Sequence, residues 1–386
     1  MTNSHTQKHS YFHWSSLRKK VLLWSALSAL LLLHACSSET PSKPGASETS
    51  KHLGLIFTSD YVNGELRLLD IEKRKLLETS LSFHSDSKII VQEDQVFILE
   101  RFGADNIVAL DAKKMKNLKI SVLYQSALEE GANPSSIVSI SPTEAWLGLE
   151  GLPKLLKINP KEKAKVIKEV DLSAFIVGDN LSPNLVDLAL QGDTLWALLQ
   201  RLDSYVPVLN GLVVLLDAVD GRVLDTIALQ GKNPTQMYIE NGSLWVSSLG
   251  AFNQKYGSDA DSTRGVEKIE VKTKKSSFVW TGKELGGGVS SFTMDTIAQK
   301  IYASITEEDG NTKVMELSLK EEKLKHHNTV RDASGFVFWY EHSQSLYIGD
   351  RSYDRAGLLI YNKSAGYVRA EAKDMLPPSS MAVIEF

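Results

Sequence analysis

Tyrosine, phenylalanine and arginine gather in five segments that the surrounding pattern marks as loops: 59–64, 100–105, 200–210, 250–265 and 349–356. They bring Tyr61, Arg101, Phe102, Arg201, Tyr205, Phe252, Tyr256, Arg351, Tyr353 and Arg355. Tyr and Arg combine a large contact area with directional hydrogen bonds, which is the chemistry of recognition. The same residue types also cover strand ends in proteins that bind nothing, so the set carries weight only as a set. Asp259 and Asp261 offer carboxylate oxygens, but the alternating run of ligands that calcium needs is incomplete. His84, His326, His327 and His342 show no metal-ligand spacing. No metal and no cofactor is therefore expected. Bond-breaking motifs are missing too: there is no Gly-x-Ser-x-Gly elbow, no His-Glu-x-x-His and no Walker loop. Gly286-Gly287-Gly288 opens a strand rather than a helix, and reads as a flexible turn.

The elements that must position these loops repeat. Short apolar strands centred on Ile56, Phe97, Trp146, Trp196, Trp245, Tyr302 and Tyr347 return every forty to sixty residues or so, the signature of an all-β propeller. One unit is fully legible: Ser182–Leu190, a Gly192-Asp193 turn, Thr194–Leu198, Gly211–Asp217, the Asp220-Gly221 turn and Arg222–Leu229 make two hairpins, hence one four-stranded blade. Pro134, Pro183, Pro234 and Pro378 stand where innermost strands begin, a position that can spare an N–H. The small pairs Ser135-Ser136, Ser290-Ser291 and Ser379-Ser380 follow just inside, suiting a crowded axis. Residues 378–384 read as an innermost strand with nothing after it, and 53–58 as a second strand with no first. The two termini are expected to share one blade. Seven blades result, with six or eight left open because the units near Lys163 and Lys323 are weakly patterned. Trp146, Trp196 and Trp245 recur at one position of the repeat and are expected to pack between blades.

Asp60-Tyr61-Val62-Asn63-Gly64-Glu65-Leu66-Arg67-Leu68-Leu69-Asp70 resembles the Tyr-Val-Thr-Asn family of seven-bladed propellers, over roughly residues 53 to 386. The resemblance implies the fold and is a poor guide to activity, since one fold hosts many chemistries.

The N-terminal residues carry an address. Lys8, Arg18, Lys19 and Lys20 precede the apolar run Val21–Leu33, which is shorter than the roughly 20 residues a spanning helix needs. Leu33-His34-Ala35-Cys36 resembles the lipobox of bacterial lipoproteins, with His34 at a place that normally holds a small or β-branched residue. The resemblance implies cleavage of a signal peptide, residues 1–35, and acylation of Cys36. Ser37 and Ser38 after the cysteine imply an outer-membrane destination. Residues 36–51, rich in Ser, Glu, Thr, Lys and Pro, cannot bury enough apolar surface to offset ordering entropy and read as a disordered tether. The propeller then spans 52–386. Loss of the basic leader moves the net charge from −4 to about −8, which argues against nucleic acid as a partner. Cys36 is the only cysteine, so no disulfide framework is available.

Together these features describe a propeller hung from the envelope by lipid, with an aromatic and cationic loop face and no recognisable catalytic set. The leading expectation is a non-enzymatic outer-membrane lipoprotein that binds a small molecule or a partner protein on that face. In plan it is similar to surface propeller lipoproteins that capture cobalamin for a TonB-dependent transporter, which implies an outer-membrane transporter as a partner. An envelope enzyme of lactonase or lyase type, using His84 and loop acids, and an envelope assembly scaffold remain as alternatives.

Overall fold

The structure, a computed structural model, describes residues 52–386 apart from 93, 254–256, 328 and 373. Cys36, the leader and the tether lie outside the described residues, as does Tyr256. Twenty-eight strands form seven antiparallel four-stranded sheets. In chain order the blades span 87–127, 134–171, 185–232, 234–281, 287–326 and 337–370; we call these the first to the sixth. The seventh joins Pro378–Glu385 to His52–Ser59, Gly64–Asp70 and Lys75–Phe83. Seven blades and a shared terminal blade are thus what the chain forms.

Local chemistry explains the hairpins. Gly221 (φ +73°), Asn241 (φ +50°) and Gly242 (φ +74°) take the left-handed conformations that tight turns require, from residue types that tolerate them. The glycine run at 286–288 is not a flexible turn throughout. Gly286 (φ +76°) caps a one-turn helix, Gly282–Leu285, and Gly287 and Gly288 already belong to the fifth blade's innermost strand. A Cβ on Gly288 would lie 2.0 Å from the Leu249 carbonyl oxygen, so only glycine fits that approach.

Blades pack through one repeated position on the second strand. Phe97, Trp146, Trp196, Trp245, Tyr302 and Tyr347 each turn toward the following blade and enter a hydrophobic cluster shared with it. Trp146, Trp196 and Trp245 are 0%, 2% and 6% exposed, as packing residues must be. Ile56 departs from the expected series: Leu55 and Phe57 face the first blade, while Ile56 faces the sixth. A shift of one residue reverses a strand's faces, and in this blade the repeat centres on Leu55 and Phe57 rather than on Ile56.

The seam is tightly made. Leu53 pairs with Ile384, Gly54 with Val383, Leu55 with Ala382 and Phe57 with Ser380. Arg351, from the sixth blade, clamps the seam's end: its guanidinium donates to Ser59 O at 3.0 Å, Pro377 O at 3.1 Å and Pro378 O at 3.3 Å.

A polar insert joins the fifth and sixth blades. Buried His327 accepts at Nδ1 from the Tyr367 hydroxyl and donates from Nε2 to Glu316 at 3.3 Å, the one tautomer that satisfies both partners. The His327 hydrogen bond, followed by the Lys300 ammonium, holds the Glu316 carboxyl down at about 2.

Candidate functional site at the channel mouth

With four strands per blade, the loops joining second to third strands and the connections between blades emerge on the same face. The remaining hairpins emerge on the other. Every innermost strand therefore starts at the loop face and runs into the channel. There it lines a cavity of about 310 Å³ along the axis.

The mouth of this cavity is built by a repeated irregularity. Five innermost strands carry one extra residue just inside their start: Ser135, Val186, Thr235, Ser290 and Ser379. A bulge frees that residue's backbone from the ladder and re-aims its neighbours. The serine pairs seen in the sequence mark this level, where small side chains leave the axis open.

Two charges stand in the wall at this level, Lys88 and Asp187. The Lys88 ammonium donates to two bulge carbonyls, Ser135 O at 3.0 Å and, more weakly, Val186 O at 3.4 Å. Asp187 accepts from Leu188 N–H at 2.9 Å, Met237 N–H at 3.0 Å and Ser136 Oγ at 3.3 Å. No ion pair within 4.0 Å joins the two. Both keep some surface within the channel while protein surrounds them on all sides. Desolvation lowers the Lys88 pKa, assisted by the charge of Arg101 and opposed by Asp187, Glu150 and Asp86. Desolvation raises that of Asp187, opposed by Lys88 and by its three donors. Opposite shifts within one cavity are a mark of functional sites.

The loop residues separate into two kinds around this mouth. Tyr61, Phe102, Tyr205 and Phe252 are 80%, 69%, 82% and 51% exposed, and Tyr353 is fully exposed. Tyr61 lies over the Arg351 guanidinium, 4.8 Å from ring centre to carbon, so a structural clamp also braces a rim aromatic. Three of the four described arginines of the set, Arg101, Arg351 and Arg355, are engaged by protein. Arg101 binds Glu150 at 2.5 Å and Asn133 at 3.2 Å. Arg355 binds Glu371 at 3.1 Å. Arg201 sits at φ +59° with its Nε buried and unpartnered among the described residues. The structure thus surrounds the mouth with aromatics and uses Arg101, Arg351 and Arg355 as braces. His84 bonds locally with Asp86. Among the described residues no cluster of three metal-ligating side chains occurs.

Sequence reasoning missed Lys88 and Asp187. A signal was available: each is the one ionised residue in an otherwise apolar strand at the level marked by the serine pairs, Ser87-Lys88-Ile89-Ile90-Val91 and Leu185-Val186-Asp187-Leu188-Ala189.

No protein-family model and no curated protein matches the chain. Solved structures do. A protein of Bacteroides uniformis ATCC 8492 described as a candidate 6-phosphogluconolactonase shares 10% identity at TM-score 0.61, covering 87% of this chain and 100% of its own. The periplasmic gluconolactonase PpgL of Pseudomonas aeruginosa shares 9% at TM-score 0.54, covering 86% and 99%. Apo AztD of Citrobacter koseri shares 10% at TM-score 0.52, covering 86% and 98%. At such identities the likeness establishes the propeller fold.

Proposed function

We propose that the chain is a lipid-anchored outer-membrane protein that binds a small polar molecule at the mouth of its propeller channel and serves an outer-membrane transporter. One observation carries the binding reading: Lys88 and Asp187 stand unpaired with each other in the wall of a cavity of about 310 Å³, beneath a rim of exposed aromatics. A cavity of that size with few polar groups suits a small ligand. The anchor rests on the lipobox-like Leu33–Cys36 and the polar tether that follows it. His52–Ser59 runs from the far face to the loop face, where Ser59 meets Pro377. A chain held at Cys36 would therefore meet the propeller on the side away from its mouth, leaving the mouth turned from the anchoring leaflet.

The full chain, purified in detergent from its own envelope, is expected to show a small bound molecule in native mass spectrometry. Ser291→Phe, which places a ring in the open channel, is expected to lose it while keeping the wild-type circular dichroism. An adduct that survives the plug would place binding elsewhere.

The opposite pKa shifts of the pair favour a second reading, an envelope lactonase. Asp187 would take a proton from a water as its oxygen bonds to the lactone carbonyl carbon, Lys88 would stabilise the oxyanion, and the ring C–O bond would break as the departing oxygen takes that proton back from Asp187, leaving the open hydroxy acid. Turnover of glucono-1,5-lactone that disappears in Asp187→Asn would select this reading, and binding without turnover would reject it.

A further inference from the structure

We infer that the ligand of the channel presents an oxyanion, a carboxylate or phosphate group, to Lys88 and Gln236; this names the ligand class of the binding site proposed above and rests on that reading. Two side chains on the wall keep donors without a protein acceptor among the described residues, Lys88 and Gln236. An ammonium has three N–H groups. Ser135 O and Val186 O take two from Lys88, and the third meets no protein acceptor among the described residues. Gln236 extends the pattern. Its Oε1 accepts from the Phe292 backbone N–H at 3.2 Å, and because a backbone N–H only donates, the amide is fixed with its oxygen there. Its NH₂ group then meets no protein acceptor among the described residues. Gln92 repeats the arrangement deeper in the channel, its oxygen held by Ser139 N–H at 3.4 Å.

The one carboxylate on the wall is, by contrast, largely used. Asp187 already takes three hydrogen bonds, two on Oδ1 and one on Oδ2. Gln236 adjoins it, because Met237 N–H is one of those donors. An incoming oxyanion would thus find the ammonium and the amide donors, and a hydroxyl beside it would find the remaining lone pair of Asp187.

Charge points the same way. The two carbonyls satisfy Lys88 as a donor without neutralising it, and Asp187, the other charge in the wall, favours the ammonium without forming an ion pair with it within 4.0 Å. Arg101, whose own charge acts unfavourably on Lys88, is the partner of Glu150 at 2.5 Å and of Asp86 at 3.7 Å, so two of the nearby acids are committed behind the wall. A neutral polyol could use the hydrogen bonds and would leave the charge as it stands. A carboxylate or phosphate takes both, through charge-assisted bonds.

The test is calorimetric titration of the full chain in detergent with gluconate, inorganic phosphate and sorbitol, the last close to gluconate in size and uncharged. Gluconate or phosphate is expected to bind, with sorbitol weaker by roughly 10- to 100-fold. Lys88→Met should lose anion binding by a similar factor, and Lys88→Arg should retain it. Lys88→Met leaves Ser135 O, Val186 O and Asp187 without the ammonium, so its melting temperature should fall, and wild-type circular dichroism at the titration temperature together with binding kept in Lys88→Arg separates lost binding from lost folding. If gluconate and phosphate compete, the shared anion is the determinant; if one alone binds, it identifies the source. Sorbitol binding as tightly as gluconate, or Lys88→Met binding anions like wild type, would overturn the oxyanion and leave channel binding intact. An empty native mass spectrum together with no response to any of the three probes would sink both.

Discussion

Deletion of residues 378–386 is expected to abolish cooperative folding, leaving a chain that aggregates and shows no unfolding transition in urea or on heating. The last strand supplies the innermost position of the seventh blade and pairs along the whole of His52–Ser59. Without it, the buried Leu53, Leu55 and Phe57 would sit on a long open edge, the kind of template that recruits other chains. Met381, Ala382 and Ile384 would also vanish from two inter-blade clusters, and Arg351 would lose Pro378 O, one of the three carbonyls it clamps. A ring differs from a linear array in that every blade has two neighbours, so one lost strand weakens both contacts of the seventh blade. Soluble expression and a urea melt followed by tryptophan fluorescence decide it. A truncated chain that unfolds cooperatively near the wild-type midpoint would mean that closure contributes little.

Trp146→Ala should destabilise the protein by about 3–5 kcal/mol, read as a shift in the urea midpoint at unchanged slope. The ring is wholly buried between the second and third blades, where Leu188, Leu195 and Val214 share its cluster. Its Nε1 donates to Ala218 O at 2.8 Å, and that carbonyl would be left without this donor. Trp196 provides the contrast. It fills the equivalent place one blade on, yet its Nε1 is buried without a partner among the described residues. Trp196→Phe therefore loses area and also removes an unsatisfied N–H, so its cost should fall well below that of Trp146→Phe, which loses the same area and leaves Ala218 O without its donor. Equal losses for the two phenylalanine variants would show that the hydrogen bond across the blade interface is idle.

The architecture was legible because propeller packing writes itself into the chain. Trp146, Trp196 and Trp245 recur since each blade presents one large residue to the next, and Asp220-Gly221 and Asn241-Gly242 mark hairpins through a backbone need that few residue types meet. The shared blade followed from an unpaired strand at each end. What failed was register in the seventh blade, where Ile56, Leu55 and Phe57 are all large and apolar, so composition alone could not say which faced forward. The site was only half visible. Tyr61, Phe102, Tyr205 and Tyr353 were readable as a rim because loops expose what they carry. The partners of Arg101 and Arg351 were not readable, since Glu150 lies 49 residues away and Ser59 lies 292 residues away, contacts that only the ring creates. Lys88 and Asp187 were visible singly, each as the one ionised residue of its strand, but not as parts of one wall, since the Val186 carbonyl that Lys88 holds lies 98 residues away.

Hydrogen exchange of the full chain with and without saturating gluconate tests most directly whether the occupant sits on the charged level of the channel. The expected result is slower exchange of the backbone amides at 136–138, 187–189, 236–238 and 291–292, the starts of four innermost strands, with the far-face hairpins unchanged. Protection confined to the rim loops 59–64 and 200–210, or to the far face, would contradict binding at Lys88 and Asp187.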